Sequence, residues 1–374
     1  MIACALGRPL CDAAIFADGR MPVKASTTGS SHACTGRMKP AIWPPNPPAR
    51  HPEGTRPPNA GGKGETEPDS SGASVTNEQV VRLRRYERPR EEPANLLPPA
   101  ADEVISYERA EAAIAESGLS VGSRALLGGL LRVGCTRVFP GGGIGIEYGS
   151  LLKTAARPDY LAGHVAEAAA HLREKRVDVL LVPGMSGYPV GAMYSIVSGV
   201  PAVLLKKAKL QPDGAYPPGS FVIPSYTGEG DVVMSADEAA IQGIVDGIVA
   251  PRLAAQQDAA EVTLAIRAAG ADDIIDKATM SQAVGESAVV VCGAAIEDVV
   301  RRHRAATGDD RPIHARVDVV AWVTPLIKGY NRPQEHLRRH FGIVPFAGLN
   351  VTSVHLEPNA IGVEGIGIVA FAEP

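Results

Sequence analysis

The sequence predicts an α/β domain, built on a three-layer and mostly parallel sheet with a helical insertion, behind a disordered N-terminal tail. The first observation is a change of composition, because residues 36–98 are rich in Pro, Gly, Ser, Glu and Arg and almost free of branched apolar residues. Such a segment cannot bury enough surface to offset the entropy lost on ordering its backbone. The remainder is rich in Ala, Val, Ile, Leu and Gly and is long enough for one such domain. We therefore divide the chain into a tail, residues 1–98, and a domain, residues 99–374.

A βαβ unit in the middle of the chain is the second observation. Residues 177–182 form a nearly continuous apolar run, which is typical of a strand buried on both faces. Residues 183–189 then predict a glycine-containing turn, residues 190–198 a helix of small residues, and residues 202–205 a second strand. A strand, a turn, a helix and a strand in this order indicate a right-handed parallel crossover.

The other elements follow from periodicity and from helix-terminal residues. Helices are predicted over residues 101–133, with breaks at Gly118 and Gly122, and from Pro158 onward. A further helix begins near Pro333 and ends at Gly342, the usual pairing of an N-terminal proline with a C-terminal glycine. The Ala-rich residues 235–286 predict mostly helix. Three later strands are predicted, over residues 288–291, 317–323 and 342–349.

Composition also excludes some functional classes. A net charge of −4 gives no electrostatic case for binding nucleic acid or an anionic membrane. The five cysteines are scattered without paired spacing, which predicts reduced thiols and a cytoplasmic protein. No apolar run approaches the roughly 18 residues of a membrane span.

Residues 175–193 and 199–207 resemble the type I phosphoribosyltransferases, in particular the orotate and adenine branches. In that family a buried strand delivers a short loop that holds pyrophosphate, and the next strand ends in a basic pair. The resemblance implies transfer of ribose 5-phosphate from phosphoribosyl pyrophosphate to a nucleobase-like acceptor. It also implies Mg²⁺ as a cofactor and a homodimer, with no nucleic-acid or membrane partner.

The loop after the first strand is the predicted pyrophosphate site. It comprises Gly184, Met185, Ser186, Gly187 and Tyr188. The glycines let the backbone approach a polyphosphate, and consecutive N–H groups at the start of a helix bind anions. Lys206 or Lys207, at the end of the next strand, would supply positive charge. The alternative is a plain βα turn with two solvated lysines.

Three segments compete for the family's ribose-phosphate loop, in which a strand ends in two acids before a Thr-Gly-rich turn. Residues 244–250 carry one acid. Asp272 and Asp273 form an acidic pair, but no strand-like run precedes them and they are suited to capping a helix. Residues 289–298 have the expected strand and position but lack the acids. We favour the third segment, which predicts four further substrate-binding residues: Cys292, Gly293, Ala294 and Ala295.

Two functions remain open on this basis. One is a phosphoribosyltransferase. The other is a non-catalytic relative that binds a nucleotide or phosphosugar for regulation, which a degenerate ribose-phosphate loop would suit. The discriminating feature is whether an acidic pair lies at the carboxyl end of the strand beside residues 177–182.

Overall fold

The computed structural model describes residues 83–87, 99–100, 103–139, 144–224 and 230–373. Most of the predicted tail lies outside these residues. The described helices are α1 (Tyr107–Glu116), α2 (Val121–Val133), α3 (Gly149–Leu152), α4 (Pro158–Glu174), α5 (Gly184–Ser198), α6 (Glu238–Ala255), α7 (Thr279–Thr307) and α8 (Pro333–Phe341). The strands of the first half are β1 (Arg84–Arg85), β2 (Val104–Ile105), β3 (Cys135–Val138), β4 (Ile144–Glu147), β5 (Val179–Val182), β6 (Ala202–Leu204), β7 (Lys206–Lys207), β8 (Phe221–Pro224) and β9 (Asp231–Ser235). The strands of the second half are β10 (Val262–Ala271), β11 (Ile274–Ile275), β12 (Ile313–Lys328), β13 (Phe346–His355), β14 (Ala360–Val363) and β15 (Gly367–Ala370).

The main sheet has the strand order β2-β15-β14-β13-β12-β10-β5-β6, and β11 pairs with β12 beside this path. The run from β13 to β6 is parallel throughout. At the other side β14 is antiparallel to both β13 and β15, whereas β15 and β2 are parallel, so the sheet is mixed. The parallel strands are joined by helical crossovers, as the βαβ pattern of the sequence predicts.

Helices cover both faces of the parallel strands and produce three layers. Val179 and Leu181 of β5 belong to the core cluster formed with α6 and α7. Leu180 and Val182 belong instead to the cluster formed with α4 and α5. Successive side chains of a strand point to opposite faces, so an uninterrupted apolar run is what a central strand requires. The predicted α/β fold is therefore confirmed, with helices on both faces of this strand.

The prediction of mostly helical structure between residues 235 and 286 is wrong in part. The helix α6 is present, but β10 follows it and occupies the centre of the sheet between β5 and β12. Its small residues reflect packing: a Cβ atom at Gly270 would overlap the ring of Trp322, which is completely buried. Alanine and glycine in β10 thus make room for a large neighbour, and they do not indicate a helix.

The predicted strand over residues 288–291 is also wrong, because these residues lie within the 29-residue helix α7. Ala288, Val291, Cys292 and Ala295 are buried, whereas Val289 and its neighbour Val290 are exposed. The buried positions have the three-to-four-residue spacing of a helix. Cys292 to Ala295 are therefore in the middle of a helix and not in a loop after a strand.

A second sheet, with the order β1-β8-β9-β7, packs beside α7. Its strand β1 comes from the segment predicted as tail, and Tyr86 directly after it is 6% exposed within the main core cluster. The domain therefore begins upstream of residue 99. Among the helices of the described residues, none combines the length and the apolar character needed to cross a membrane.

Candidate functional site

An acidic pair lies at the carboxyl end of β10, directly beside the end of β5. The two strands are parallel, with Ala268 opposite Val179 and Gly270 opposite Leu181. Asp272 and Asp273 follow β10 at the edge of the sheet where β5 gives way to α5. In open parallel sheets this edge is where ligands bind. The acidic pair at the carboxyl end of the strand beside residues 177–182 is therefore Asp272 and Asp273, and the favoured segment 289–298 does not supply one.

The acidic pair contacts the predicted pyrophosphate loop. A Cβ atom at Gly187, in the first turn of α5, would lie 2.9 Å from Oδ1 of Asp272 and 3.3 Å from Cγ1 of Val182. Glycine is required here because a side chain would meet two buried groups. Gly184 begins the helix with a φ of +47°, a backbone conformation that favours glycine. Both glycines of the loop therefore have a structural reason.

A cavity of ≈ 290 Å³ opens at this edge of the sheet. One side carries Ser186 of the loop together with Asp272 and Asp273. Three lysines also line it: Lys153, Lys277 and Lys328. The remaining wall is largely apolar and includes Phe139, Ile146, Ile223, Pro224 and Met280. A space lined by both charged and apolar side chains is suited to a ligand that has a phosphate-bearing part and a planar part.

Asp273 is held by two groups from the segment around α3. The hydroxyl of Tyr148 donates to Oδ2 of Asp273 at 2.7 Å, and the ammonium of Lys153 lies 3.2 Å from the same oxygen. Lys153 also lies over the ring of Tyr148, 4.8 Å from its centroid. One oxygen of Asp273 therefore has both a hydroxyl donor and a partly exposed cation as partners.

Asp272 is buried at the end of β10 beside Asp273. Burial raises the pKa of the Asp272 carboxyl well above the ordinary value, and the adjacent carboxyl group of Asp273 raises it further. The backbone N–H of Asp273 donates to Oδ1 of Asp272 at 2.9 Å, which offsets only part of this effect. The surroundings of Asp272 therefore favour its protonated form.

The first turn of α7 forms the floor of the cavity, and its residues Thr279, Met280 and Ser281 are all among the lining. Ala278, in the N-cap position with a φ of 58°, offers no side chain to cap the helix. The first N–H groups of a helix have no partner within it and carry partial positive charge. Within the described residues, the hydroxyl of Thr279 is buried and makes no hydrogen bond. These groups together are suited to an anion.

Asp276 introduces a carboxylate immediately before this turn. Its charge is balanced by Lys328, whose ammonium lies 3.1 Å from Oδ2, and Asn331 donates to Oδ1 at 2.6 Å. Where the resemblance implies a Thr-Gly-rich turn, this chain has Asp276, Lys277 and Ala278, and Thr279 begins the helix.

A buried pair behind the acidic residues joins α4 to α5. Nε2 of His164 and the hydroxyl of Tyr194 are 2.7 Å apart, and both side chains are completely buried. Burial lowers the pKa of His164 to about 4, so the imidazole is neutral. Burial raises the pKa of Tyr194, and the charge of Asp273 raises it further.

The structure distributes the predicted site residues unequally. Ser186 and Gly187 face the site, whereas Met185 is 85% exposed and the hydroxyl of Tyr188 donates to the carbonyl of Leu205. Lys206 pairs with Asp237 at 2.6 Å. In the described part of the chain, the cavity lining contains neither Lys206 nor Lys207. Their predicted role as counter-charge is therefore corrected in favour of the lysines that line the cavity.

The predicted residues in the middle of α7 are not part of this site. They are Cys292, Gly293, Ala294 and Ala295. Cys292 is completely buried among apolar side chains, and burial raises the pKa of its thiol to about 12. A protonated thiol in a helix interior offers a ligand nothing, so this prediction is wrong.

Sequence reasoning did not find Tyr148, Lys153, Asp276 or Lys328. Lys153 and Tyr148 reach the site only through the tertiary packing of α3, and no spacing in the sequence links them to Asp273. Lys328 ends β12, which is parallel to β10, so it lies at the same edge of the sheet. The predicted strand over residues 317–323 stops five residues before Lys328, so the sequence prediction did not place this lysine at the end of a strand.

No protein-family model and no curated protein matches this chain. The chain is similar to the solved structure of an APRTase from Giardia lamblia complexed with 9-deazaadenine, at 13% identity and a TM-score of 0.38, over 61% of this chain and 97% of that one. It is also similar to the adenine phosphoribosyltransferase of Rhodothermus marinus, at 12% identity and a TM-score of 0.38, over 61% of this chain and 97% of that one. The adenine phosphoribosyltransferase of Saccharomyces cerevisiae is similar at 14% identity and a TM-score of 0.36, over 61% of this chain and 98% of that one. At these TM-scores the matches carry no argument, and the function has to be inferred from the contacts around the cavity.

Proposed function

We propose that this protein binds phosphoribosyl pyrophosphate or a close relative and transfers its ribose 5-phosphate to a nucleobase-like acceptor. The observation that carries the proposal is the position of Asp272 and Asp273 at the end of β10, with Asp272 against Gly187 of the predicted pyrophosphate loop. A sugar between two phosphate groups needs hydroxyl acceptors between two anion sites. The order of loop, acids and helix start around the cavity meets that need.

Each part of the ligand has a partner in this proposal. The pyrophosphate lies against the first turn of α5, where Ser186 adds a hydroxyl and Lys153 a positive charge. The ribose hydroxyls donate to Asp273, and Asp272, which is protonated, is able to donate as well as accept. The 5-phosphate accepts hydrogen bonds from the first N–H groups of α7 and from Thr279.

The chemistry requires little covalent participation by the protein. The bond between the ribose C1 atom and the pyrophosphate oxygen breaks, and pyrophosphate leaves with the bonding electrons. A bond forms from C1 to a nitrogen of the acceptor, and the acceptor releases its N–H proton to water. The transition state has a positively charged ribosyl group, so the negative charge of Asp273 is favourable near the sugar. The dipole of α5 and the ammonium of Lys153 stabilise the leaving pyrophosphate.

The apolar wall is the proposed acceptor site. Phe139, Ile146 and Ile223 offer flat apolar surface to a planar ring. A homodimer stays part of the proposal, because Met185 and Ile196 expose apolar side chains on the outer face of α5, a helix without charged residues.

The Mg²⁺ that the resemblance implies does not fit the side chains of this cavity. Asp273 is engaged by Lys153 and Tyr148, and Asp276 by Lys328 and Asn331. Burial raises the pKa of Asp272, which disfavours the deprotonated form that a metal ligand needs. Among the described residues, no three His, Cys, Asp or Glu side chains are grouped as a metal site.

A non-catalytic phosphosugar-binding protein is the second candidate, and the turn before α7 favours it. A carboxylate at Asp276 repels a phosphate unless Lys328 compensates it, so this turn is less suited to a phosphate than the Thr-Gly-rich form. Such a protein would bind the ligand without turning it over.

Two measurements separate the candidates. Calorimetric titration with phosphoribosyl pyrophosphate is expected to show binding for both. Release of pyrophosphate on addition of adenine, guanine, hypoxanthine, uracil or orotate is expected only for the enzyme. Binding without release from any acceptor would favour the second candidate, and the absence of binding would refute both.

A further inference from the structure

The short strand β1, upstream of the predicted domain, is an edge strand of the second sheet, and its neighbour β8 lines the cavity. In the parallel pairing of β1 with β8, Arg84 is opposite Phe221 and Arg85 is opposite Val222. The pairing continues for one residue, since the N–H of Tyr86 donates to the carbonyl of Val222 at 3.0 Å. The ring of Tyr86 is buried and lies edge-on to Phe221, with 6.0 Å between the ring centroids.

The same segment is also bound to α7. The hydroxyl of Tyr86 donates to Oε2 of Glu286, and the guanidinium of Arg84 lies 2.5 Å from that oxygen. Gln282, one turn earlier on α7, donates to Oε1 of Glu286 at 2.9 Å. Glu286 therefore has a partner on both oxygens, and hydrogen bonds to a charged acceptor are about twice as strong as neutral ones.

These contacts join two walls of the cavity. Ile223 and Pro224 of β8 line one part of the cavity, and residues 279–281 of α7 line another. Ser287 of α7 also donates at 2.8 Å to the carbonyl of Gly219, which lies two residues before β8. The segment at Arg84–Tyr86 adds a second attachment, because it pairs with β8 along its length and reaches α7 with two side chains.

We infer that residues 84–86 act as a strap that holds β8 on α7 and so sets how long the cavity retains its ligand. Tyr86 and Glu286 are positioning residues in this account, because neither lines the cavity. The effect on ligand retention rests on the proposed function, whereas the attachment of β8 to α7 does not depend on it. The strap also gives the upstream segment a role, in place of a tail with no contact to the domain.

The test uses the full-length chain and removes one interaction at a time. Tyr86→Phe deletes only the hydroxyl, and Glu286→Ala deletes the shared carboxylate. Arg301→Ala on the same helix is the matched control, because Arg301 pairs with Asp298 at the far end of α7 and is largely exposed. For each variant, hydrogen exchange of the amides of Phe221 to Ile223 and the dissociation rate of phosphoribosyl pyrophosphate are measured.

We expect exchange in β8 to accelerate on the order of tenfold in Tyr86→Phe and more in Glu286→Ala, because a hydrogen bond to a charged group is lost. Dissociation of the ligand should accelerate by a similar factor, with the melting temperature of Tyr86→Phe within a few degrees of the parent. Arg301→Ala should change neither. If the parent binds no phosphoribosyl pyrophosphate, the proposed function fails and exchange alone decides the strap. Unchanged hydrogen exchange of β8 in both strap variants would overturn the inference. Faster exchange with an unchanged dissociation rate of phosphoribosyl pyrophosphate would show that the strap does not control ligand retention.

Discussion

Replacing Gly187 by valine is the sharpest perturbation of the proposed pyrophosphate site. The new Cβ atom would lie 2.9 Å from Oδ1 of Asp272, about half an ångström inside ordinary van der Waals contact, and 3.3 Å from Cγ1 of Val182. Neither neighbour is able to move freely, because Asp272 is buried at the strand end and Val182 is completely buried within the sheet. The first turn of α5 therefore has to shift away from the acidic pair.

The magnitude follows from this displacement. Overpacking a rigid site destabilises a protein by about 1–3 kcal/mol. A misplacement of about 1 Å in a ligand-positioning turn lowers binding or activity by as much as roughly a hundredfold. We expect the dissociation constant of phosphoribosyl pyrophosphate to rise more than about tenfold, or about 1.4 kcal/mol. Isothermal titration calorimetry measures this change, and a thermal melt shows whether the variant is folded.

Gly247→Val is the matched control. Gly247 lies in the exposed face of α6, and a Cβ atom there would meet no other atom within 4 Å. The control should bind the ligand like the parent and keep its unfolding free energy within about 0.5 kcal/mol. Unchanged affinity in a folded Gly187→Val protein would show that the first turn of α5 does not hold pyrophosphate, and the assignment would be refuted.

Two other predictions concern charge. Lys153→Ala should weaken binding of phosphoribosyl pyrophosphate about tenfold or more, whereas Lys206→Ala should not, because Lys206 pairs with Asp237 outside the cavity lining; equal effects in parallel titrations would contradict the account. The buried His164 has its pKa lowered to about 4 from 6.5, so the unfolded chain takes up a proton that the folded protein refuses. The free energy of unfolding should fall as the pH drops from 6.5 towards 4, in total by on the order of 3 kcal/mol. His164→Gln should flatten that slope in denaturant titrations at several pH values, and an unaltered slope would assign it to other groups.

The sequence predicted the centre of the fold because its signal is local. The apolar run before Pro183 and the two glycines of the following turn are consequences of burial on both faces and of close approach, and neither depends on distant residues. The helix from Pro158 and the helix ended by Gly342 were likewise predicted from residues at their own ends. Residues 184–188, predicted as a loop, form the start of α5, and their role in binding pyrophosphate stays a prediction.

The helix predicted over β10 and the strand predicted over residues 288–291 are wrong for one reason. In both segments tertiary packing overrides the local secondary-structure propensity. The Ala-rich β10 is a strand because Trp322 fills the space beside Gly270, and nothing within the segment reveals that neighbour. The valines before Cys292 suggested a strand, although the buried positions repeat with helical spacing. Because the sequence does not predict β10, Asp272 and Asp273 have no strand before them and resemble helix-capping residues. Residues 289–298 are then the better match to the ribose-phosphate loop, although they lie within α7.

A third error concerns the boundary of the domain. Tyr86 is one aromatic residue within a run of arginines, glutamates and prolines, so composition assigned it to the tail. Its burial depends on Phe221 and Glu286, which lie well over a hundred residues away in the chain. Contacts of this kind cannot be predicted from local composition.

Release of pyrophosphate by acidic-pair variants tests the central claim most directly. The parent, Asp273→Asn, the double change of Asp272 and Asp273 to Asn, and Cys292→Ala are incubated with phosphoribosyl pyrophosphate and each nucleobase. The account predicts release by the parent with at least one acceptor, and the same release by Cys292→Ala. It predicts loss of release in both acidic-pair variants with the fold intact, since an amide keeps the size of the carboxylate but loses the charge on Asp273. Full activity in the double variant, or loss of activity in Cys292→Ala without unfolding, would contradict it.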